Sequence, residues 1–243
     1  MDYLYDGSFE GLLTCVYHHY YTDKASGIYT EDEYQHKLME QVYTVQTDET
    51  CAGRVYRALE SKLTAYDLRR IYRVFLSDVA DKDMVILNYI RLGFIKGGDV
   101  WKLHGNPLVY EFQQLDKKVA NEVHRLEGLV RFSYLEGGVA YSSIEPDHQV
   151  LELLAEYFAD RFRNNPFIIH DIKRDRAVVA SGGIWYLTYF TGEELPEPCS
   201  DERQYQKLWK QYFETIAIRE RTNPRCQKTL MPVRYWKHLT EMK

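Results

Sequence analysis

The chain has 243 residues and a formal net charge of −5 at neutral pH, long enough for one large core or two small ones and too acidic for a strongly basic nucleic-acid binder. No stretch reaches the roughly 18 uncharged apolar residues of a membrane span, and the acidic opening "MDYLYDGSFEG" lacks the basic-then-apolar order of a secretory signal, so a soluble, cytoplasmic protein without a membrane partner is expected. Four scattered cysteines, Cys15, Cys51, Cys199 and Cys226, make no CxxC pair, which predicts free thiols without a zinc site, a disulfide framework or an iron–sulfur cluster; no metal and no cofactor are expected.

Along the chain, Asp6-Gly7 predicts a turn and Ser8 a cap for a helix to about Tyr21. Thr30 with Glu33 has the spacing of a capping box and predicts a short helix. Tyr43–Thr47 reads as a short strand or a linker. Helical periodicity follows over 48–62, 64–77 and 83–95, with Thr64 and Asp67 as a second capping box and Gly97-Gly98 as a break. Asn106-Pro107 opens a long helix with Leu108, Phe112, Leu115, Val119, Val123 and Leu126 on one stripe, and Gly128 at its end. Alternating strands at 129–135 and 139–144 turn at Gly137-Gly138. A helix from Pro146 to about Arg163 precedes the strands "FIIHDI", "RAVVAS" and "IWYLTYF". Residues 201–218 form the clearest helix, with Tyr205, Leu208, Trp209, Tyr212, Phe213, Ile216 and Ala217 on one side. Asn223-Pro224 stops it, and a last short helix follows Pro232. The expected class is α+β: an α-rich region, 1–105, and a region, 106–243, whose antiparallel sheet is covered by helices, either as two domains or as one composite unit.

Charge is uneven. Residues 1–50 hold two basic and ten acidic residues, against 29 basic and 26 acidic in the remainder. Three basic groups stand out. Arg54, Arg57, Arg69, Arg70 and Arg73 lie on consecutive helices, where Tyr66, Arg69, Arg70 and Arg73 share helical spacing. Lys117, Lys118, His124 and Arg125 lie on the long helix, and Arg131 on the strand after it. The tail carries Arg219, Arg221, Arg225, Lys228, Arg234, Lys237 and His238, interleaved with Tyr235 and Trp236. Guanidinium and aromatic groups in this mixture suit phosphate contact and base stacking. The alternatives are a solvated helix face for the first group, a helix C-terminus balanced by cations for the second, and a clamp of the tail on the acidic residues 1–50 for the third.

Signals for catalysis are sparse. There is no GxSxG, P-loop, HExxH or GxGxxG after a strand. His124, Arg131, His170 and Asp171 are the polar groups on which an enzyme reading would rest.

Several segments together resemble a bacterial family of DNA metabolism proteins, an uncharacterised domain that also occurs fused to uracil-DNA glycosylase domains. They are "YDGSFEGLLTCVY", "VANEVHRLEGLVRFSYLEGGVAYSSIEPD", "LLAEYFADRF" and "FETIAIRERTNPRCQKTLMPVRYWKHLTEM". Members are often encoded beside a radical-SAM protein taken to act in DNA modification or repair. The resemblance implies a DNA-associated role without an established reaction, and either a separate catalytic partner or an unrecognised activity of its own. Where glycosylase-fused members tend to have His-Phe, this chain has Tyr157-Phe158, so no functional histidine carries over. The leading expectation is a DNA repair or modification accessory protein that binds DNA and acts with a radical-SAM partner. The others are a DNA-acting enzyme of unknown chemistry, with hydrolysis as one option, and a structural adaptor without DNA affinity.

Overall fold

The computed structural model describes residues 1–35, 41–193 and 195–242, together with the backbone but not the side chain of Arg219. The chain divides into two compact units, Met1–Ala120 and Asn121–Lys243.

The first unit contains β1 (Asp2–Tyr5), α1 (Phe9–Tyr21), β2 (Gly27–Thr30), β3 (Val42–Thr44), α2 (Glu49–Lys62), α3 (Ala65–Phe75), α4 (Lys82–Lys96) and most of α5 (Pro107–Leu129). Its three strands are parallel, in the order β2-β1-β3. That sheet was not expected, apart from the short strand read near Tyr43. Four-residue strands such as Asp2–Tyr5 are too short for alternation to stand out, and α1 supplies the crossover that lets β1 and β2 run parallel. The helix expected after Thr30 is replaced, in its described part, by the end of β2 and a turn in which Glu33 N–H bonds to Thr30 C=O at 3.2 Å; residues 36–40 lie outside the described residues.

The helix starts follow their caps. Ser8 Oγ accepts from Gly11 N at 2.9 Å, and Asp48 Oδ1 accepts from Thr50 N and Cys51 N. Thr64 and Asp67 form the full capping box, and the other Asp67 oxygen accepts the Tyr89 hydroxyl at 2.7 Å. The cap is therefore also a core contact. Tyr89 stacks on Phe112 at 3.7 Å in a core with Tyr3, Leu12, Ile28, Leu59, Ile71 and Ile86, all essentially fully buried.

The second unit contains the end of α5, β4 (Ser133–Tyr134), β5 (Ala140–Ile144), α6 (Leu151–Phe162), β6 (Phe167–Asp171), β7 (Arg176–Ser181), β8 (Ile184–Tyr189), α7 (Glu202–Ile216) and α8 (Pro224–Leu230), with 3-10 turns over Arg219–Arg221, Val233–His238 and Thr240–Met242. The sheet order is β4-β5-β6-β7-β8. It is mixed, which corrects the expected antiparallel sheet: β5 and β6 run parallel and the other pairs antiparallel. A strand, a helix and a strand in succession form a crossover unit, and α6 returns the chain to start β6 in the direction of β5. Leu154, Ala155 and Phe158 of α6 are buried, and Phe132, Phe158, Phe162 and Phe167 meet edge-on or tilted at centroid distances of 4.7–6.5 Å. The class is α+β. No described helix is long and apolar enough to cross a membrane.

Glu122, near the C-terminal end of α5, organises this unit. Its carboxylate is 2% exposed and accepts from Asp147 N and His148 N at 2.8 Å and from the Tyr235 hydroxyl at 2.5 Å. One acidic side chain thus ties the approach to α6 to the chain's last residues.

Candidate functional site

The second unit carries an open cleft of about 920 Å³ between α7 and the β4–β5 turn. Backbone and side chain cooperate to build it. Cys199 N donates to Tyr134 C=O at 2.9 Å, and Leu135 bridges to Pro198, which carries the incoming chain along β4. Glu202, 4% exposed, then accepts from Tyr134 N at 2.9 Å and from Gln206 Nε2 at 2.8 Å, pinning the first turn of α7. Gly137 and Gly138, at φ +91° and +80°, make the turn on the opposite wall, a backbone region that side chains disfavour.

α7 buries only Glu202. The stripe read from the sequence therefore faces water: Tyr205 is 62%, Leu208 54% and Tyr212 55% exposed. With Phe132, Tyr134 and Trp209 they line the cleft. Trp209 is held in place. Its Nε1 donates to Glu241 Oε2 at 2.9 Å, and the Arg131 guanidinium lies 5.3 Å from its ring centroid. Arg131 in turn grips Glu241 at 2.7 Å and donates to Gly128 C=O at 2.8 Å. Burial pulls the Glu241 pKa upward, but the bonds from Arg131 and Trp209 prevail and hold it below the usual carboxylate range.

Arg131 lies in the coil between α5 and β4, not on the strand expected there, and its charge is satisfied internally. His124 is solvent-exposed and stands 3.5 Å from Glu127, so it shares no partner with Arg131. Arg125 is half-buried, without a carboxylate partner among the described residues. His170 is buried: its Nδ1 meets the Tyr141 hydroxyl at 3.0 Å, its Nε2 has no hydrogen-bond partner among the described residues, and burial lowers its pKa. Asp171 binds Arg174 at 2.7 Å. These four enzyme candidates have no common partner. Among the described residues, no group of three or more His, Cys, Asp or Glu is placed to hold a metal ion.

Of the other basic residues, Arg69 and Lys118 are exposed in the first unit. Arg70 does not join Arg69 on a common surface; it is buried and, with Arg73, grips Asp116 at 2.8 and 2.6 Å. In the tail, Arg234 meets Asp147 at 2.7 Å and Glu122 at 3.4 Å, and Lys237 meets Glu145 at 2.5 Å. Arg221, Arg225 and Lys228 are exposed and have no carboxylate partner among the described residues. The Arg219 side chain lies outside the described residues. Sequence reasoning did not single out Trp209, Tyr205, Tyr212, Gln206 or Glu241 as site residues. The available signal was an aromatic-rich helical stripe, which reads equally well as core.

Fold and cleft define an α+β protein with an open, aromatic-lined groove. The chain belongs to the family called domain of unknown function DUF4130, whose model matches residues 80–241. No curated protein and no solved structure matches the chain.

Proposed function

We propose that this protein binds nucleic acid as an accessory of DNA repair or modification and works beside a radical-SAM enzyme. The observation that carries the reading is the basic segment 207–231, which begins within the cleft-lining helix α7 and runs on through the arm that ends with α8. It holds six basic and two acidic residues, and Arg221, Arg225 and Lys228 stand in solvent without carboxylate partners among the described residues. Local potential decides phosphate contact, so a total charge of −5 is no obstacle. The sequence resemblance to DNA metabolism proteins supports the biological setting and the partner. The test is fluorescence anisotropy with labelled oligonucleotides at low salt. Arg221→Ala with Arg225→Ala is expected to weaken binding several-fold; unchanged affinity would count against the reading. Co-purification with the radical-SAM protein checks the partner.

A second reading, a structural adaptor without DNA affinity, is favoured by one observation. Arg73, Arg131, Arg234 and Lys237 already hold carboxylates of their own chain. It predicts a stable protein complex and no oligonucleotide binding in the same two experiments.

A further inference from the structure

We infer that the cleft between α7 and the β4–β5 turn receives unstacked bases of a single-stranded nucleic acid, while the arm after α7 carries the phosphates; this rests on the nucleic-acid reading above. The cleft walls are rings more than aliphatic chains: Tyr134, Tyr205, Trp209 and Tyr212 are 39–62% exposed and line one concavity. An apolar surface of this kind left wet marks an interaction site. Aromatic faces stack on any base, but only on one whose own face is free. Bases inside a duplex are already stacked on their neighbours and offer only their edges. Rings gathered in a groove therefore select single strands over duplex.

Charge and polarity decide which way the strand lies. Glu136 and Asp201 are exposed cleft-lining residues and repel phosphate from that part of the wall. Glu202 and Glu241 are consumed by internal hydrogen bonds. The phosphates then fall to cations outside the cleft lining, among which Arg221, Arg225 and Lys228 are exposed in the segment that follows α7 in sequence. Trp209 is a rigid platform, because its N–H is bound to Glu241 and Arg131 covers the ring, so little order remains to be imposed on binding. Gln206 adds a polar contact. Glu202 and Ser133 hold its amide nitrogen at 2.8 and 3.4 Å, and Glu202 as a carboxylate only accepts, so the amide carbonyl is the end available to a base N–H.

The test compares a single-stranded oligonucleotide of about a dozen residues, carrying 2-aminopurine, with its duplex. The single strand is expected to bind about tenfold or more tightly, with quenching of the 2-aminopurine as it stacks. Tyr205→Ala with Tyr212→Ala, both surface positions, is expected to cost about tenfold in single-strand affinity and to abolish the quenching, with unchanged circular dichroism. Duplex binding as tight as single-strand binding overturns the inference. So does a tyrosine variant of wild-type affinity alongside a weakened Arg221→Ala/Arg225→Ala variant, although that pair of results leaves the broader reading standing. No binding of either form by the wild type removes both and is the outcome a protein-docking surface predicts.

Discussion

Asp83, at the start of α4, is 2% exposed, accepts the Tyr5 hydroxyl at 2.9 Å through Oδ2, and leaves Oδ1 without a hydrogen-bond partner among the described residues. Burial pushes its pKa up to about 6, against the opposing pull of Lys82 and of the Tyr5 bond. The native state then binds this proton more tightly than the unfolded chain, whose Asp titrates near 4. Stability from Asp83 is fully present below about pH 4, declines as pH rises to about 6, and levels off above. Asp83→Asn keeps an acceptor for Tyr5 and removes the buried charge. Its melting temperature is expected to exceed that of the wild type at pH 7.5, by the equivalent of a few kcal/mol at most, with the gap closing toward pH 4. A gap independent of pH would refute the assignment. Nothing in the local sequence marks Asp83, because its partner lies 78 residues away and a polar residue in a first helical turn is ordinary.

At the scale of elements, α3 and α5 are joined by the Arg70–Asp116–Arg73 cluster. Arg70 is 5% exposed and lies 5.3 and 5.5 Å from the Tyr66 and Phe112 ring centroids. Removing its counter-charge strands a buried guanidinium, so Asp116→Ala is expected to cost roughly 3–5 kcal/mol in urea unfolding. Arg73 is partly solvated and shares its partner, so Arg73→Ala is expected to cost about 1 kcal/mol or less. Equal losses from the two variants would show that the cluster is not organised around Arg70. The contrast between α3 and α7 bears on what sequence can reveal. Both show clear amphipathic periodicity, yet α3 lays Ile71 and Val74 into the core while α7 leaves its stripe in water. Periodicity shows that a face exists; only packing shows whether anything covers it.

For the whole molecule, the central electrostatic fact is a negative chain with a positive arm. Binding by such a surface is driven by release of the counterions condensed on nucleic acid, and its strength falls log-linearly with salt. If Arg221 and Arg225 each neutralise one phosphate of a single strand, their joint replacement by alanine is expected to flatten the plot of log affinity against log salt by about 1.4 units of slope. Parallel plots would mean that the two arginines do not touch phosphate, whatever their effect on affinity at one salt concentration.

The α+β class, most helix starts and the strands "FIIHDI", "RAVVAS" and "IWYLTYF" could be read from the sequence. Caps such as Ser8, Asp48 and Thr64 act on backbone groups two or three residues away, and burial periodicity is likewise a local property. Packing decided the rest. The mixed order of the sheet depends on where α6 returns the chain, the neutralisation of Arg131 on Glu241, 110 residues away, and the aromatic cleft on how α7 is pinned by Glu202. Interactions between distant residues depend on which surfaces the folded chain brings together, and a linear pattern does not encode that contact directly.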